Sequence, residues 1–206
     1  EGFYLLLTYV DILALQHFRS PDEVAVYYAG ARLLAIVAFV YFAIAGATTH
    51  KFTQYHIAGD KERLASFFKE TARWTFWPSL AMVLFLLVAG KQLLLPFGPT
   101  FGSGYPLLYI MSIGLLFRAS IGPAESLLTM AGQQGICAVI YTIALVINVA
   151  LNVILIPLLG LPGAAIATSS SLVFETIALY AVTRSRLGMR CSIVTAMKPL
   201  PPVEAN

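Results

Sequence analysis

Charge is what this chain has least of. Asp, Glu, Lys and Arg make up 11% of its 206 residues. An average soluble domain carries about 25%, so an ordinary water-soluble globule is excluded: too few charges remain to solvate its surface. The mean hydropathy of +0.81 excludes disorder as well, since disorder needs low hydrophobicity and high net charge. Cysteine is nearly absent. Cys137 sits inside an apolar run and Cys191 in the tail, so no disulfide framework is implied. The three histidines, His17, His50 and His56, have no metal-ligand spacing, and no metal or cofactor is expected. No nucleophile–base arrangement and no Walker-type phosphate loop is present, which excludes ATP hydrolysis within this chain and argues against an enzyme. The net charge is only +3, with clustered basic residues, so nucleic acid is not an expected partner. No cleavable signal peptide is visible. The chain lacks an initiator Met, opens inside an apolar run at Gly2-Phe3-Tyr4, and reads as a fragment or processed chain.

What is there is long apolar runs. A spanning helix needs about 20 mostly apolar residues, and six such runs occur, at about 2–18, 26–49, 74–89, 105–131, 136–159 and 161–182. A transmembrane β-barrel would show shorter alternating segments instead. The expected fold class is therefore an all-α membrane protein of six transmembrane helices over residues 1–188. Ser20-Pro21-Asp22 follows the first span, with Asp22 able to cap the next helix. Gly132-Gln133-Gln134-Gly135 and Gly160-Leu161-Pro162-Gly163 are short enough to force antiparallel hairpins.

The long polar stretch is 50–73, read as a cytoplasmic amphipathic linker. Asp60 is its expected N-cap, and Leu64, Phe67, Phe68, Thr71 and Trp74 fall near one helical face. It either lies on the membrane surface or extends the third span into water. Lys51, Lys61, Arg63, Lys69 and Arg73 lie here, and Arg184, Arg186, Arg190 and Lys198 lie after the last span. Positive residues concentrate on the cytoplasmic side, so both termini and this loop are expected there, with a disordered tail over 189–206.

Charges inside a span cost at least about 2.5–3.5 kcal/mol each, so each marks a site. They are Asp11, Arg32, Arg118, Glu125 and Glu175. Arg118 and Glu125 are seven residues apart, nearly two turns, and point the same way. Gly122-Pro123 between them predicts a kink. They line a cavity or form an internal ion pair. Arg32 suits bidentate phosphate recognition or snorkels to the outer interface. Asp11 pairs with Arg32, binds a coupling cation, or carries a proton. Asn148 and Asn152, at i and i+4, with Tyr141 seven residues before Asn148, form a polar stripe read chiefly as packing. Gly163, Ala167 and Ser171 form a small-residue packing row that Glu175 continues.

Asp11-Ile12-Leu13, then Ser20-Pro21-Asp22-Glu23-Val24 and Tyr27-Tyr28-Ala29-Gly30-Ala31-Arg32-Leu33, open an ordered set of motifs. Gly59-Asp60-Lys61-Glu62, Phe97-Gly98-Pro99-Thr100-Phe101, Tyr105-Pro106-Leu107-Leu108, Met130-Ala131-Gly132-Gln133-Gln134, Ile156-Pro157-Leu158 and the run from Pro162 to Thr168 continue it. Together they resemble the second, C-terminal lobe of O-antigen-type polysaccharide flippases, in the superfamily that also holds the MATE drug exporters. The resemblance implies one lobe of a two-lobe transporter that flips lipid-linked oligosaccharide by alternating access in the bacterial inner membrane. It implies Arg32 and Arg118 at the pyrophosphate headgroup and Asp11 or Glu125 at coupling-ion entry. The implied partners are that substrate, membrane lipids, and an N-terminal lobe or a second copy. A cation-coupled drug exporter and an inactive half-transporter or scaffold are the alternatives. A membrane glycosyltransferase or polymerase would need a large soluble loop with carboxylates, and the long loop here is basic.

The topology makes one expectation direct. A cysteine introduced at Lys61 should react with impermeant thiol reagents only after the cytoplasmic side is opened; labelling of intact cells would reverse the orientation.

Overall fold

The computed structural model describes residues 2–188. The tail expected at 189–206, with Arg190, Cys191 and Lys198, lies outside the described residues. The helices are α1 (Gly2–Phe18), α2 (Pro21–Ile57), α3 (Lys61–Leu94), α4 (Tyr105–Ser120), α5 (Ala124–Met130), α6 (Gln134–Leu159) and α7 (Leu161–Leu187). No strand occurs among the described residues. Two short 3-10 turns, Leu95–Phe97 and Pro99–Gly104, join α3 to α4. Among the described residues five helices are long and apolar enough to cross a membrane, and α1 is a shorter apolar helix.

The start of α2 is set by a capping box rather than by Asp22. The Glu23 backbone N–H donates to Ser20 Oγ at 3.4 Å, and the Ser20 N–H donates to Glu23 Oε2 at 3.2 Å. Two orphan donors are thus satisfied reciprocally, and Pro21 fills a first-turn position that needs no N–H. Arg19 then reaches across the bundle. Its Nη2 donates to the Ile156 carbonyl at 2.9 Å, near the end of α6, and so ties the α1–α2 turn to the α6–α7 turn.

The polar stretch 50–73 is not a separate surface helix. Residues through Ile57 continue α2, and α3 begins at Lys61, capped by Asp60, whose Oδ1 accepts from the Arg63 N–H at 3.0 Å. At 37 residues α2 is roughly 55 Å long, well beyond a hydrocarbon core of about 30 Å, so the α2–α3 hairpin outruns the apolar runs that mark its spans. The amphipathic face of this stretch packs on protein. Phe52, Leu64, Phe68 and Ala72 are buried with Leu128, Ile140 and Leu179 in a second core at this end. Trp74 stays exposed.

The expected fourth span, 105–131, is two helices. α4 stops at Ser120 and α5 starts at Ala124, with Gly122 at φ 55° between them. That left-handed conformation favours glycine. Space demands it too: a Cβ on Gly122 would stand 2.9 Å from the Ala72 Cα. Pro123 then withholds the N–H that a continuous ladder would need.

α7 runs through the middle of the bundle and is the most buried of the spans. Small residues let its neighbours come close. A Cβ on Gly114 of α4 would lie 2.9 Å from the Ser169 Cα, and one on Gly163 would lie 2.4 Å from the Leu155 carbonyl oxygen. Gly163, Ala167 and Ser171 are buried as the packing row requires. These contacts put Gly114→Val among overpacking changes costing about 1–3 kcal/mol. Its thermal midpoint in detergent should fall clearly below wild type, whereas Gly46→Ala, with nothing within 4 Å of the added Cβ, should not lower it.

Candidate functional site

Asp11 is completely buried, at 0% exposure. Its Oδ1 accepts from Asn152 Nδ2 at 2.7 Å and from Asn148 Nδ2 at 3.1 Å. Its Oδ2 accepts from the Tyr27 hydroxyl at 2.6 Å and from Thr168 Oγ1. Four donors on three helices, α2, α6 and α7, thus surround a carboxylate on a fourth. Asn152 Nδ2 also donates to Asn148 Oδ1 at 3.1 Å, which orients both amides. Asn152 Oδ1 is buried with no hydrogen-bond partner. All four groups point hydrogens at the carboxylate, which satisfies it as a buried hydrogen-bond acceptor. The asparagine stripe therefore does more than pack helices: i and i+4 place both amides on one carboxylate.

Arg32 does not pair with Asp11. Adjacent residues on a helix point about 100° apart, so Tyr27 turns inward to Asp11 while Tyr28 and Arg32, four residues apart, face outward together. Arg32 is exposed; its Nε donates to the Tyr28 hydroxyl at 2.7 Å, and its guanidinium lies 4.8 Å from the centre of that ring. Beside them α1 and α2 form an open groove of about 690 Å³, lined by Tyr9, Gln16, Arg19 and Tyr28 among the apolar Ile12, Leu13, Val24 and Ala25. The exposed faces of α3 and α6 carry Leu84, Phe85, Val88, Val146 and Val153. The α1–α2 face mixes such apolar residues, Leu13 and Phe39 among them, with the hydroxyl, amide and guanidinium groups of Tyr9, Gln16, Arg19 and Arg32.

Arg118 and Glu125 do meet, across the helix break, with Nη2 3.1 Å from Oε2. Arg118 ends α4 and Glu125 begins α5, so each charge complements the dipole of its own helix end. Arg118 Nη1 also pairs with Glu175 of α7, and the guanidinium stacks 4.8 Å from the Tyr41 ring centre. Glu175 is fully buried and does not reach the interface. Tyr141 of α6 lies against Arg118 and Glu125, and Phe3 stacks on its ring at 4.6 Å.

The two clusters are stacked along the bundle. On α7, Thr168 belongs to the Asp11 cluster and Glu175 to the Arg118 cluster. On α6, Asn148 and Tyr141 divide the same way. Each pair is seven residues apart, about 10 Å along a helix. Spacing alone shows which residues share a face, and so it pointed to Arg118 with Glu125 and to Asn148 with Asn152. It carries no sign of which helices face each other, so Tyr27, Thr168 and Tyr41 were missed as partners. Thr168 was within reach, next to Ala167 of the packing row.

The family model described as MatE matches residues 3–154. That range takes in Asp11, Arg32, Arg118, Glu125, Asn148 and Asn152 and leaves Thr168 and Glu175 outside. No curated protein and no solved structure matches the chain.

Proposed function

The chain belongs to the MatE family of membrane transporters, and from that premise we propose that it forms a lobe of a flippase for lipid-linked oligosaccharide. The substrate would move by alternating access during bacterial surface polysaccharide synthesis, with Asp11 as the coupling-ion site. The observation that carries this reading is the groove between α1 and α2, where Tyr9, Gln16, Arg19 and Tyr28 stand among apolar residues and the exposed guanidinium of Arg32 sits beside the groove on its Tyr28 wall, which suits an anionic headgroup bearing sugars on a lipid chain. Arginine binds phosphate oxygens through a planar fork, and aromatic faces with a polar tip suit sugar rings. Arg118 is engaged by two carboxylates, so the headgroup role falls to Arg32 in this reading. Such a groove is one wall of a pathway, completed by an N-terminal lobe or a second copy.

Orientation follows the same logic. Lys51, Arg63, Lys69, Arg73, Arg184 and Arg186 gather at the end where α2 meets α3 and α7 finishes, which supports a cytoplasmic location for that end by the positive-inside preference. The membrane would be the bacterial inner membrane. A cation-coupled drug exporter is the second reading. It is favoured by the same pairing of Arg118, which leaves the bundle interior with more acid than base.

Arg32→Ala at the chromosomal locus separates the two. Loss of one charged contact is worth about 1.5–3 kcal/mol, so surface polysaccharide should fall by at least about tenfold at unchanged membrane level of the protein. Arg32→Lys, which keeps the charge and loses the fork, should lie between. Retained polysaccharide together with lost resistance to lipophilic cations would replace the flippase by the drug exporter.

A further inference from the structure

α6 starts in the core beside the α2–α3 hairpin, where Cys137 and Ile140 pack near Phe52 and Leu64, and finishes at the opposite end of the bundle. There three turns meet around a second cavity: the α1–α2 turn, the 3-10 turn Pro99–Gly104 and the α6–α7 turn. The cavity measures about 520 Å³, inside the range of about 300–1,000 Å³ usual for small-molecule sites. Arg19, Asp22, Glu23, Thr100 and Ser103 form its polar wall, and Leu158 and Leu159 stand on its apolar side.

Charges of both signs face this cavity without pairing. Among the described residues Arg19 makes no ion pair with either acid. Its guanidinium is held by neutral carbonyls instead, donating to Ile156 at 2.9 Å and to Pro157 at 3.5 Å. Its Nε is buried with no hydrogen-bond partner. Gly160, at φ 70°, makes room for it: a Cβ there would stand 3.3 Å from the guanidinium carbon. On the acidic side, Glu23 Oε2 is taken by the Ser20 N–H and hydroxyl, while Asp22 has no side-chain partner among the described residues. A guanidinium and unpaired carboxylates in one cavity fit a ligand that carries both signs, since hydrogen bonds between charged partners are the strong ones.

The surroundings point to the bilayer as the source of that ligand. At 26 residues α6 is roughly 39 Å long, more than a hydrocarbon core of about 30 Å, so its end lies at headgroup depth. Leu158 is 73% exposed, and the exposed face of α6 continues from it through Ile154, Val153 and Val146. An apolar track thus leads from the cavity along the span.

We propose that this cavity binds the headgroup of a zwitterionic aminophospholipid, with the phosphate at Arg19, the ammonium at Asp22 and Glu23, and an acyl chain along the exposed face of α6. A primary ammonium offers three donors to the acids, a quaternary one offers none, and an anionic headgroup without an amine leaves both acids unpaired. The site therefore selects phosphatidylethanolamine over phosphatidylcholine and phosphatidylglycerol. The bound headgroup bridges the same two turns that Arg19 joins. The site concerns a lipid of the membrane rather than the cargo, so it stands apart from the transport reading.

Native mass spectrometry of the full chain, released from nanodiscs holding equal amounts of these three lipids with identical acyl chains, tests it. Wild type should retain phosphatidylethanolamine about tenfold above the other two, the difference that one charge-assisted hydrogen bond makes. The double variant Asp22→Asn, Glu23→Gln should lose the preference. It keeps the start of α2, because glutamine also closes a capping box and Asp22 takes no part in it. Arg19→Gln should weaken retention of all three lipids. That change also removes the bond to Ile156, so the double variant decides if Arg19→Gln does not fold. Equal retention of the three lipids by wild type, or a preference that survives in the double variant, overturns the proposal. Full displacement by glycerophosphoethanolamine, which has no acyl chains, also overturns it, since the ligand would then be a soluble amine phosphate and not a lipid.

Discussion

The bundle is organised around a fully buried carboxylate, Asp11. Burying an ionised group costs several kcal/mol after relaxation, and Asp11 offsets that cost with hydrogen bonds from Tyr27, Asn148, Asn152 and Thr168. Each donor belongs to an element that apolar contact alone would leave free to slide, because lipid tails are as apolar as the side chains between helices. The carboxylate fixes rotation as well as distance. Tyr27 inward means Arg32 outward, and the groove between α1 and α2 follows from that choice. The small residues act at the next level: Gly114 and Gly163 let α4 and α6 approach α7, and the Arg19 bond to the Ile156 carbonyl pins the turns at the Asp11 end.

The second polar centre obeys the same constraint by a different route. Arg118 and Glu125 lie on two helices that the sequence would have joined, and the break at Gly122 allows both to turn inward. Glu175 completes the set from α7. Two polar centres in opposite halves of one bundle share α6 and α7, each of which contributes a residue to both. Irregular backbone inside a membrane is tolerated only where protein or a wet cavity satisfies it, and at the Gly122 break the protein does so.

Much of this was legible in the chain because membrane burial writes itself as composition. Six apolar runs gave the spans, and the MatE match agrees with the superfamily that the ordered motifs resembled. Helix ends were less legible. α2 and α3 continue through polar residues that remain helical by local hydrogen bonding and pack on each other through Phe52, Leu64 and Phe68, so hydropathy stopped where the helices did not. The S-x-x-E pattern of Ser20 and Glu23 was readable as a capping box, yet Asp22 was the cap assigned. The cost of charge within a span singled out Asp11, Arg118, Glu125 and Glu175, and also Arg32, which lies exposed on the outer face of α2. The partners stayed hidden. Thr168 is 157 residues from Asp11, and only the folded bundle brings them together.

The central claim is that the Asp11 carboxylate couples the helices around it. A double-mutant cycle on Asp11→Ala and Asn152→Ala, read as unfolding free energy in detergent, measures it directly. The two changes should fall short of additivity by about 0.5–3 kcal/mol, the range of residues sharing one hydrogen-bond network. Additivity within about 0.5 kcal/mol would mean that the carboxylate and the amide act independently, and the account built on Asp11 would be wrong.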